Sequence, residues 1–141
     1  MLLPDVNVLV HAFIRESPEH EACRDWLNNL VNGEEPFGLS QHVLSGFIRI
    51  VTHPQIYKPP IPVEAALDFA DALLAQPRCV VVAPGPRHWE IFTGLCRSVQ
   101  VRWSLVPDAY FAALAIESGD EWVTMDRGFA RFVGLRRRRP F

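Results

Sequence analysis

The hydrophobic residues of this chain form short runs that alternate with longer stretches of helical spacing. Runs bounded by turn residues predict short strands, at residues 2–5, 37–39, 79–83 and 122–125, with a last strand near residue 135. Apolar residues at intervals of three and four predict helices at 6–14, 19–31, 40–51, 62–75, 88–98 and 108–118, with a helical turn at 129–132. The proline-rich segment 57–62 is expected to be a loop.

The alternation of strands and helices predicts the fold class. Short apolar strands separated by helices are typical of three-layer α/β proteins, in which a mostly parallel central sheet is flanked by helices on both faces. Because the 141 residues show no repeat, linker or break, we expect a single domain over residues 1–141. Ligands of such sheets bind beyond the carboxyl ends of the strands, so candidate functional residues are sought there.

Composition narrows the class of protein. The chain is 49% hydrophobic and 21% charged, which is an ordinary globular balance, and its net charge of −2 gives no basic field that would indicate a nucleic-acid partner. The cysteines Cys23, Cys79 and Cys96 form no CxxC pair and are interpreted as reduced thiols. No signal peptide and no apolar stretch near the ~18 residues of a membrane span are visible. We therefore expect a cytoplasmic protein with no membrane association.

Three acidic residues fall at the expected ligand-binding edge of the sheet. Asp5 ends the first strand, Asp126 ends a late strand, and Asp108 lies in the first turn of the alanine-rich helix. Each one alone is explained by helix capping. Together they would converge on one pocket, where carboxylates repel one another unless a cation lies among them. A magnesium-like ion with oxygen ligands answers that repulsion and supports phosphodiester hydrolysis.

Several segments, in order along the chain, match a known family. They are 5–9 (DVNVL), 44–52 (LSGFIRIVT), 107–109 (PDA), 112–115 (AALA) with Gly119, and 124–129 (TMDRGF). In these segments the sequence resembles the PIN-domain ribonucleases, and among them the VapC-type toxins of toxin–antitoxin pairs. The resemblance extends over essentially the whole chain.

This resemblance implies an activity and partners. The protein would be a metal-dependent endoribonuclease that hydrolyses RNA with Mg²⁺ or Mn²⁺, would be inhibited by a small antitoxin protein, and would form a homodimer. Asp5, Asp108 and Asp126 would be the catalytic residues and metal ligands. Asn7 and Thr124 would orient the groups around them, although a hydrogen bond at the helix start explains Asn7 equally well.

The chain departs from the VapC pattern in the helix after the second strand. Many VapC-like proteins carry a glutamate there as a further member of the acidic site, and this sequence has Gly46, or Ser45, at that position. Neither residue supplies a carboxylate. Three explanations stay open: water fills the position, another acid such as Glu117 or Glu90 replaces the glutamate, or activity is weaker.

Positive residues near the proposed site are candidates for RNA contacts. Arg49 lies in the helix that would face the pocket, and Arg127 follows Asp126; an ordinary surface position is the default for each. The run 136–139 is the only charge run. The usual interpretation of such a run is a solvated edge strand. The alternative is a patch that binds phosphates.

The aromatic residues predict mostly core packing. On their spacing, Trp26, Trp89, Trp103 and Trp122 are expected in the core. Trp103, in the loop before the alanine-rich helix, is nevertheless the candidate for stacking on a base. His42 is the only histidine expected near the site.

Other classes of function fit less well. A response-regulator receiver needs an acid at the end of a central strand and a nearby lysine, but the strand at 79–83 ends without an acid and Lys58 lies in a proline-rich loop. A haloacid-dehalogenase phosphatase needs a second aspartate where Asn7 stands. A non-catalytic module that binds RNA or an antitoxin on the same fold is the main alternative, because of the missing glutamate.

Overall fold

The computed structural model describes all residues from 1 to 141 and has the expected alternation of elements. Its strands and helices, in chain order, are β1 (Leu2–Pro4), α1 (Val6–Phe13), α2 (His20–Asn32), β2 (Phe37–Leu39), α3 (Gln41–Val51), α4 (Val63–Leu74), β3 (Cys79–Val81), α5 (His88–Val99), α6 (Leu105–Ser118), β4 (Glu121–Val123), a 3₁₀ helix (Arg127–Arg131) and β5 (Arg137–Arg138).

The strands are parallel, as predicted, and β1 lies in the middle of their spatial order. β1 pairs with β4 and β4 with β5, while β2 pairs with β3. β1 also lies alongside β2, and Gly38 of β2 makes this approach possible, because a Cβ there would come within 3.1 Å of the Leu3 side chain. The spatial order is therefore β3, β2, β1, β4, β5. The carboxyl ends of the two central neighbours, β1 and β4, meet at one edge.

A hydrophobic core of 27 buried residues joins the sheet to its helices. Helix α6 contributes a run of small side chains, which allows other elements to pack closely against several of its faces; the buried alanines are Ala109, Ala112, Ala113 and Ala115. Trp122 of β4 is fully buried and stacks on Phe111 of α6 at 5.5 Å between ring centroids. This packing fixes the start of α6 relative to the end of β4. None of the helices combines the length and apolar character that a membrane crossing requires.

The prediction of a central strand at 79–83 is wrong in its position. Only Cys79–Val81 is extended, it lies at the outer edge beside β2, and Val80 and Val81 are 42% and 52% exposed. A run of β-branched residues favours a strand without indicating how much of it other elements cover.

Helix α6 begins earlier than predicted. It starts at Leu105, not at 108, so that Pro107 lies within the first turn. Proline is tolerated there because the first N–H groups of a helix have no intrahelical acceptor. The helix ends as predicted at Gly119, whose φ of 72° is in the left-handed region.

The core assignment of the tryptophans is wrong for two of the four. Trp122 is buried and Trp26 is half-buried, but Trp89 is 69% and Trp103 91% exposed. The last strand comprises two residues of the arginine run, which pair with β4 at the edge of the sheet and are exposed. The structure thus agrees with the interpretation of this run as a solvated edge strand.

Candidate active site

Asp5 connects the sheet to the first helix. Its backbone N–H donates to the carbonyl of Val123 at 2.8 Å, which extends the β1–β4 ladder by one residue. Its side chain caps α1, with Oδ1 accepting from the N–H of Val6 at 2.7 Å. Because the strand ends and the helix begins at this residue, the carboxylate is held at the edge of the sheet and is only 4% exposed.

Asn7 and Thr124 hold the second oxygen of this carboxylate. Asp5 Oδ2 accepts from Thr124 Oγ1 at 2.6 Å and from Asn7 Nδ2 at 2.7 Å. Thr124 Oγ1 in turn accepts from the N–H of Asp126 at 3.0 Å, and Asn7 Oδ1 accepts from the N–H of Met125 at 3.1 Å. The side chain of Asn7 therefore joins Asp5, the N-cap residue of its own helix, to the backbone just after β4.

The other two acidic residues are less constrained. Asp126 is exposed and caps the 3₁₀ helix, with Oδ1 accepting from the N–H of Gly128 at 2.6 Å. Asp108, in the first turn of α6, is partly buried and its carboxylate accepts no hydrogen bond from the protein. Both oxygens of Asp108 are thus available to a ligand.

One cavity brings the three carboxylates together. It has a volume of about 780 Å³ and lies between α1, α3, the start of α6 and the segment after β4. Its lining residues are Asp5, Val6, Asn7, Val10, His11, His42, Ser45, Gly46, Arg49, Ile50, Trp103, Ser104, Pro107, Asp108, Phe111, Asp126 and Phe129. Asp5, Asp108 and Asp126 therefore face a common space, as the strand-end rule predicts.

The electrostatics of this cavity favour a cation. Burial raises the pKa of Asp5 from 3.8 to about 7, and the charges of Asp108 and Asp126 add to the rise against the hydrogen bonds from Thr124 and Val6. Burial and the charge of Asp126 likewise raise the pKa of Asp108 to about 6. A carboxyl group whose pKa is raised in this way tends to keep its proton, and a bound cation would instead stabilise the ionised carboxylate.

The donor set of the cavity fits a hard divalent cation. Its acidic donors are all oxygens: Asp108 is free, and Oδ1 of Asp5 accepts only one hydrogen bond within the protein. No three aspartate, glutamate, histidine or cysteine side chains stand close enough together to hold a metal ion jointly. Magnesium suits this arrangement, because it commonly takes one or two carboxylates and completes its shell with waters and phosphate oxygens.

Comparison with known proteins identifies the family. The family model described as "PIN domain" matches residues 2–135. The chain is 44% identical to ribonuclease VapC43 of Mycobacterium tuberculosis, over 99% of this chain and 95% of the relative, and 37% identical to ribonuclease VapC25 of the same organism, over 99% of each. This chain is a PIN-domain protein of the VapC ribonuclease family.

Several solved structures share this fold at low sequence identity. The VapBC2 complex of Rickettsia felis, bound to a DNA fragment from its promoter, superposes with a TM-score of 0.71 at 17% identity, covering 98% of this chain and 97% of that one. VapC20 of M. tuberculosis, a toxin that cleaves the sarcin–ricin loop, superposes with a TM-score of 0.65 at 17% identity, covering 96% and 99%. These likenesses establish the shared architecture.

The two residues at which the resemblance predicts a glutamate face the cavity. Ser45 and Gly46 both line it, and a Cβ on Gly46 would approach Val6 to 3.1 Å. The proposed replacements are wrong. Glu117 accepts from the N–H groups of Gly85 and Arg87, so it holds the turn before α5, and Glu90 is exposed; neither lines the cavity.

The arginines of this VapC protein differ in position. Arg49 lines the cavity from α3, as expected, whereas Arg127 does not line it, although it follows Asp126. Sequence reasoning missed Arg131, whose charge lowers the pKa of Asp108 and whose Nε donates to the carbonyl of Gly128 at 2.7 Å. The 3₁₀ helix turns Arg131 back towards the acidic site. The only signal of this in the sequence is the distance of Arg131 from Asp126 along that helical turn.

Two further residues line the cavity: His11 was not predicted there, and Trp103 was expected in the core. His42 lines it as expected, but so does His11, whose Nδ1 lies 2.5 Å from Oγ of Ser17. His11 follows Asn7 by one helical turn, and this spacing could have found it. Trp103 also lines the cavity.

Proposed function

We propose that this protein is a metal-dependent endoribonuclease and the toxin of a VapBC-type toxin–antitoxin pair. The relatives named ribonuclease VapC support the reaction class. The observation that carries the proposal is the cavity in which Asp5, Asp108 and Asp126 face a common space at the ends of β1 and β4. A cavity with concentrated negative charge is unsuited to RNA phosphates unless a cation lies between them.

In the proposed mechanism, Asp5, Asp108 and Asp126 would hold Mg²⁺ or Mn²⁺, directly or through waters that the ion keeps. When bound, such an ion lowers the pKa of a coordinated water and neutralises charge on the scissile phosphate. Thr124 and Asn7 hold Oδ2 of Asp5, and the N–H of Val6 holds Oδ1, so the carboxylate has little freedom to turn. Hydrogen bonds of this kind orient ligating carboxylates and tune their affinity.

Arg49 has a different role in this proposal. It lines the cavity from α3 and is exposed, which supports the proposal that its guanidinium contacts an RNA phosphate. Arg127 lies outside the cavity lining; any contact that it makes would be with RNA beyond the cleavage site.

The partners follow from the comparisons. Because structures of the same fold include toxin–antitoxin complexes, we propose a small antitoxin as the regulator. We also propose a homodimer and a cytoplasmic location, both on family resemblance.

A cleavage assay tests the reaction. Purified protein is incubated with mixed tRNA and rRNA in Mg²⁺, in Mn²⁺ and in chelator, alongside the variants Asp108→Asn and Asp126→Asn. We expect the original protein to cleave RNA when Mg²⁺ or Mn²⁺ is present and not in chelator. We expect neither variant to cleave RNA under any of these conditions. Asp71→Asn is the matched control, because Asp71 is exposed on α4 and does not line the cavity.

The outcomes separate the alternatives. Cleavage that persists in chelator, or in both cavity variants, would reject the metal-dependent mechanism. RNA binding without any cleavage would instead support the non-catalytic module.

A further inference from the structure

Trp103 is the most exposed large hydrophobic residue of the protein. It lies in the loop between α5 and α6 and is 91% exposed, while its ring borders the cavity that contains Asp108 and Arg49. Trp89 is also exposed, but it lies on α5 away from this cavity. An indole with so much free surface contributes little to the core, so packing does not explain its presence.

The backbone at Trp103 is also unfavourable for its side chain. Its φ of 39° lies in the left-handed region, where bulky residues are rare. The loop is held in this shape by hydrogen bonds from the N–H of Leu105 to the carbonyl of Arg102 at 2.9 Å and from the N–H of Val106 to the carbonyl of Trp103 at 3.0 Å. Glycine would suit this position better. Neither backbone preference nor burial accounts for the tryptophan, which leaves contact with a ligand.

The surroundings of the ring indicate the ligand. Nine of the 17 residues that line the cavity are polar or charged, and two of them, Arg49 and His42, lie on its α3 side. An apolar peptide would leave these groups without partners, whereas a nucleotide offers a flat aromatic base for Trp103 and a phosphate for Arg49.

We propose that Trp103 stacks on an unpaired nucleobase next to the scissile phosphate and so positions the RNA. This inference rests on the proposed ribonuclease function and specifies its substrate class. A base inside a duplex has both faces covered by its neighbours, so the substrate must be single-stranded, looped or flipped out at that nucleotide. Trp103 is then a positioning residue whose effect falls on RNA affinity and KM, with kcat little changed.

Binding to two oligomers of equal charge tests the stacking. Fluorescein-labelled decaadenylate and a decamer of abasic residues are titrated in Mg²⁺ on ice by anisotropy, and gels check that the RNA stays intact. We expect Trp103→Gly to weaken decaadenylate binding about tenfold, the scale of one base–aromatic stack, and to leave abasic binding unchanged. Trp103→Phe should recover most of the affinity, and the control Trp89→Ala should match the original protein on both oligomers.

Thermal melts and cleavage kinetics complete the test. Trp103→Gly should melt at or above the temperature of the original protein, because glycine tolerates the left-handed backbone. With tRNA it should raise KM about tenfold and leave kcat within about twofold.

Each failure has its own meaning. Equal affinity of Trp103→Gly and the original protein for decaadenylate, or an equal loss on the abasic decamer, would overturn the stacking role even if cleavage proceeds normally. Absence of cleavage by the original protein would reject the proposed function, while the binding comparison would still decide whether Trp103 contacts a base.

Discussion

The two sides of the cavity are built differently. On the sheet side, Asp5, Asn7 and Thr124 are joined by hydrogen bonds of 2.6–3.1 Å that also hold the backbone after β4. On the helix side, the side chains of Arg49 and Asp108 make no hydrogen bond or ion pair within the protein. The sheet side suits groups that must be placed accurately for chemistry. The helix side suits groups that adapt to a substrate.

The largest effect is expected on the sheet side. Asp5→Asn should lower the initial rate of RNA cleavage by at least about a hundredfold, because an amide is a poor metal ligand and adds a donor opposite those of Asn7 and Thr124. The measurement is the rate of tRNA cleavage in Mg²⁺, with Asp71→Asn as control. A variant that keeps more than a tenth of the rate would contradict the role assigned to Asp5.

The hydroxyl of Thr124 should be the next most important group. Thr124→Val keeps the shape but leaves Asp5 Oδ2 one donor short and removes the acceptor of the Asp126 N–H. We expect a loss of about 1–3 kcal/mol in the free energy of unfolding, measured by urea titration, and a 10–100-fold weaker metal affinity, measured by calorimetry. Unchanged metal affinity would show that this network does not support the metal site.

The pH dependence of stability should reveal the uncompensated carboxylates. The folded protein holds the pKa of Asp5 at about 7 and that of Asp108 at about 6, both above the ordinary 3.8. The folded state therefore binds more protons than the unfolded state between about pH 4 and pH 7, and stability should fall as the pH rises through this range.

Asp108→Asn isolates one contribution to this fall. In chelator, the variant should be more stable than the original protein at pH 8, on the order of 1 kcal/mol after allowance for solvent screening, and equal to it near pH 4. Melting temperatures at the two pH values measure the difference. A variant that is less stable at pH 8 would mean that the Asp108 carboxylate is neutralised within the protein.

The smallest effect is expected for an exposed polar residue on the helix side. Ser45 is exposed on α3 and its hydroxyl makes no hydrogen bond within the protein, so Ser45→Ala should change the free energy of unfolding by less than about 0.5 kcal/mol. Urea titration provides the check beside Thr124→Val. Equal losses in the two variants would remove the contrast between the two sides.

The difference between the two sides also explains what the sequence could predict. Strand ends and helix starts have local signals, so the elements and the convergence of Asp5, Asp108 and Asp126 on one cavity were predictable from the pattern. The edge position of β3 and the exposure of Trp89 and Trp103 were not, because they depend on which elements cover a residue. The turns of their helices bring His11 to the cavity and the charge of Arg131 to Asp108, which spacing indicates only weakly.

Glu117 has a mechanical consequence for the cavity. Its carboxylate accepts from the N–H groups of Gly85 and Arg87 at 2.6 and 2.7 Å, and so clamps the segment just before α5 onto the last turn of α6. The α5–α6 hairpin is thereby fastened at one end by this clamp and closed at the other by the loop that carries Trp103. Trp103 and Asp108 are therefore carried by one fastened hairpin, whereas Asp5 is held by the sheet.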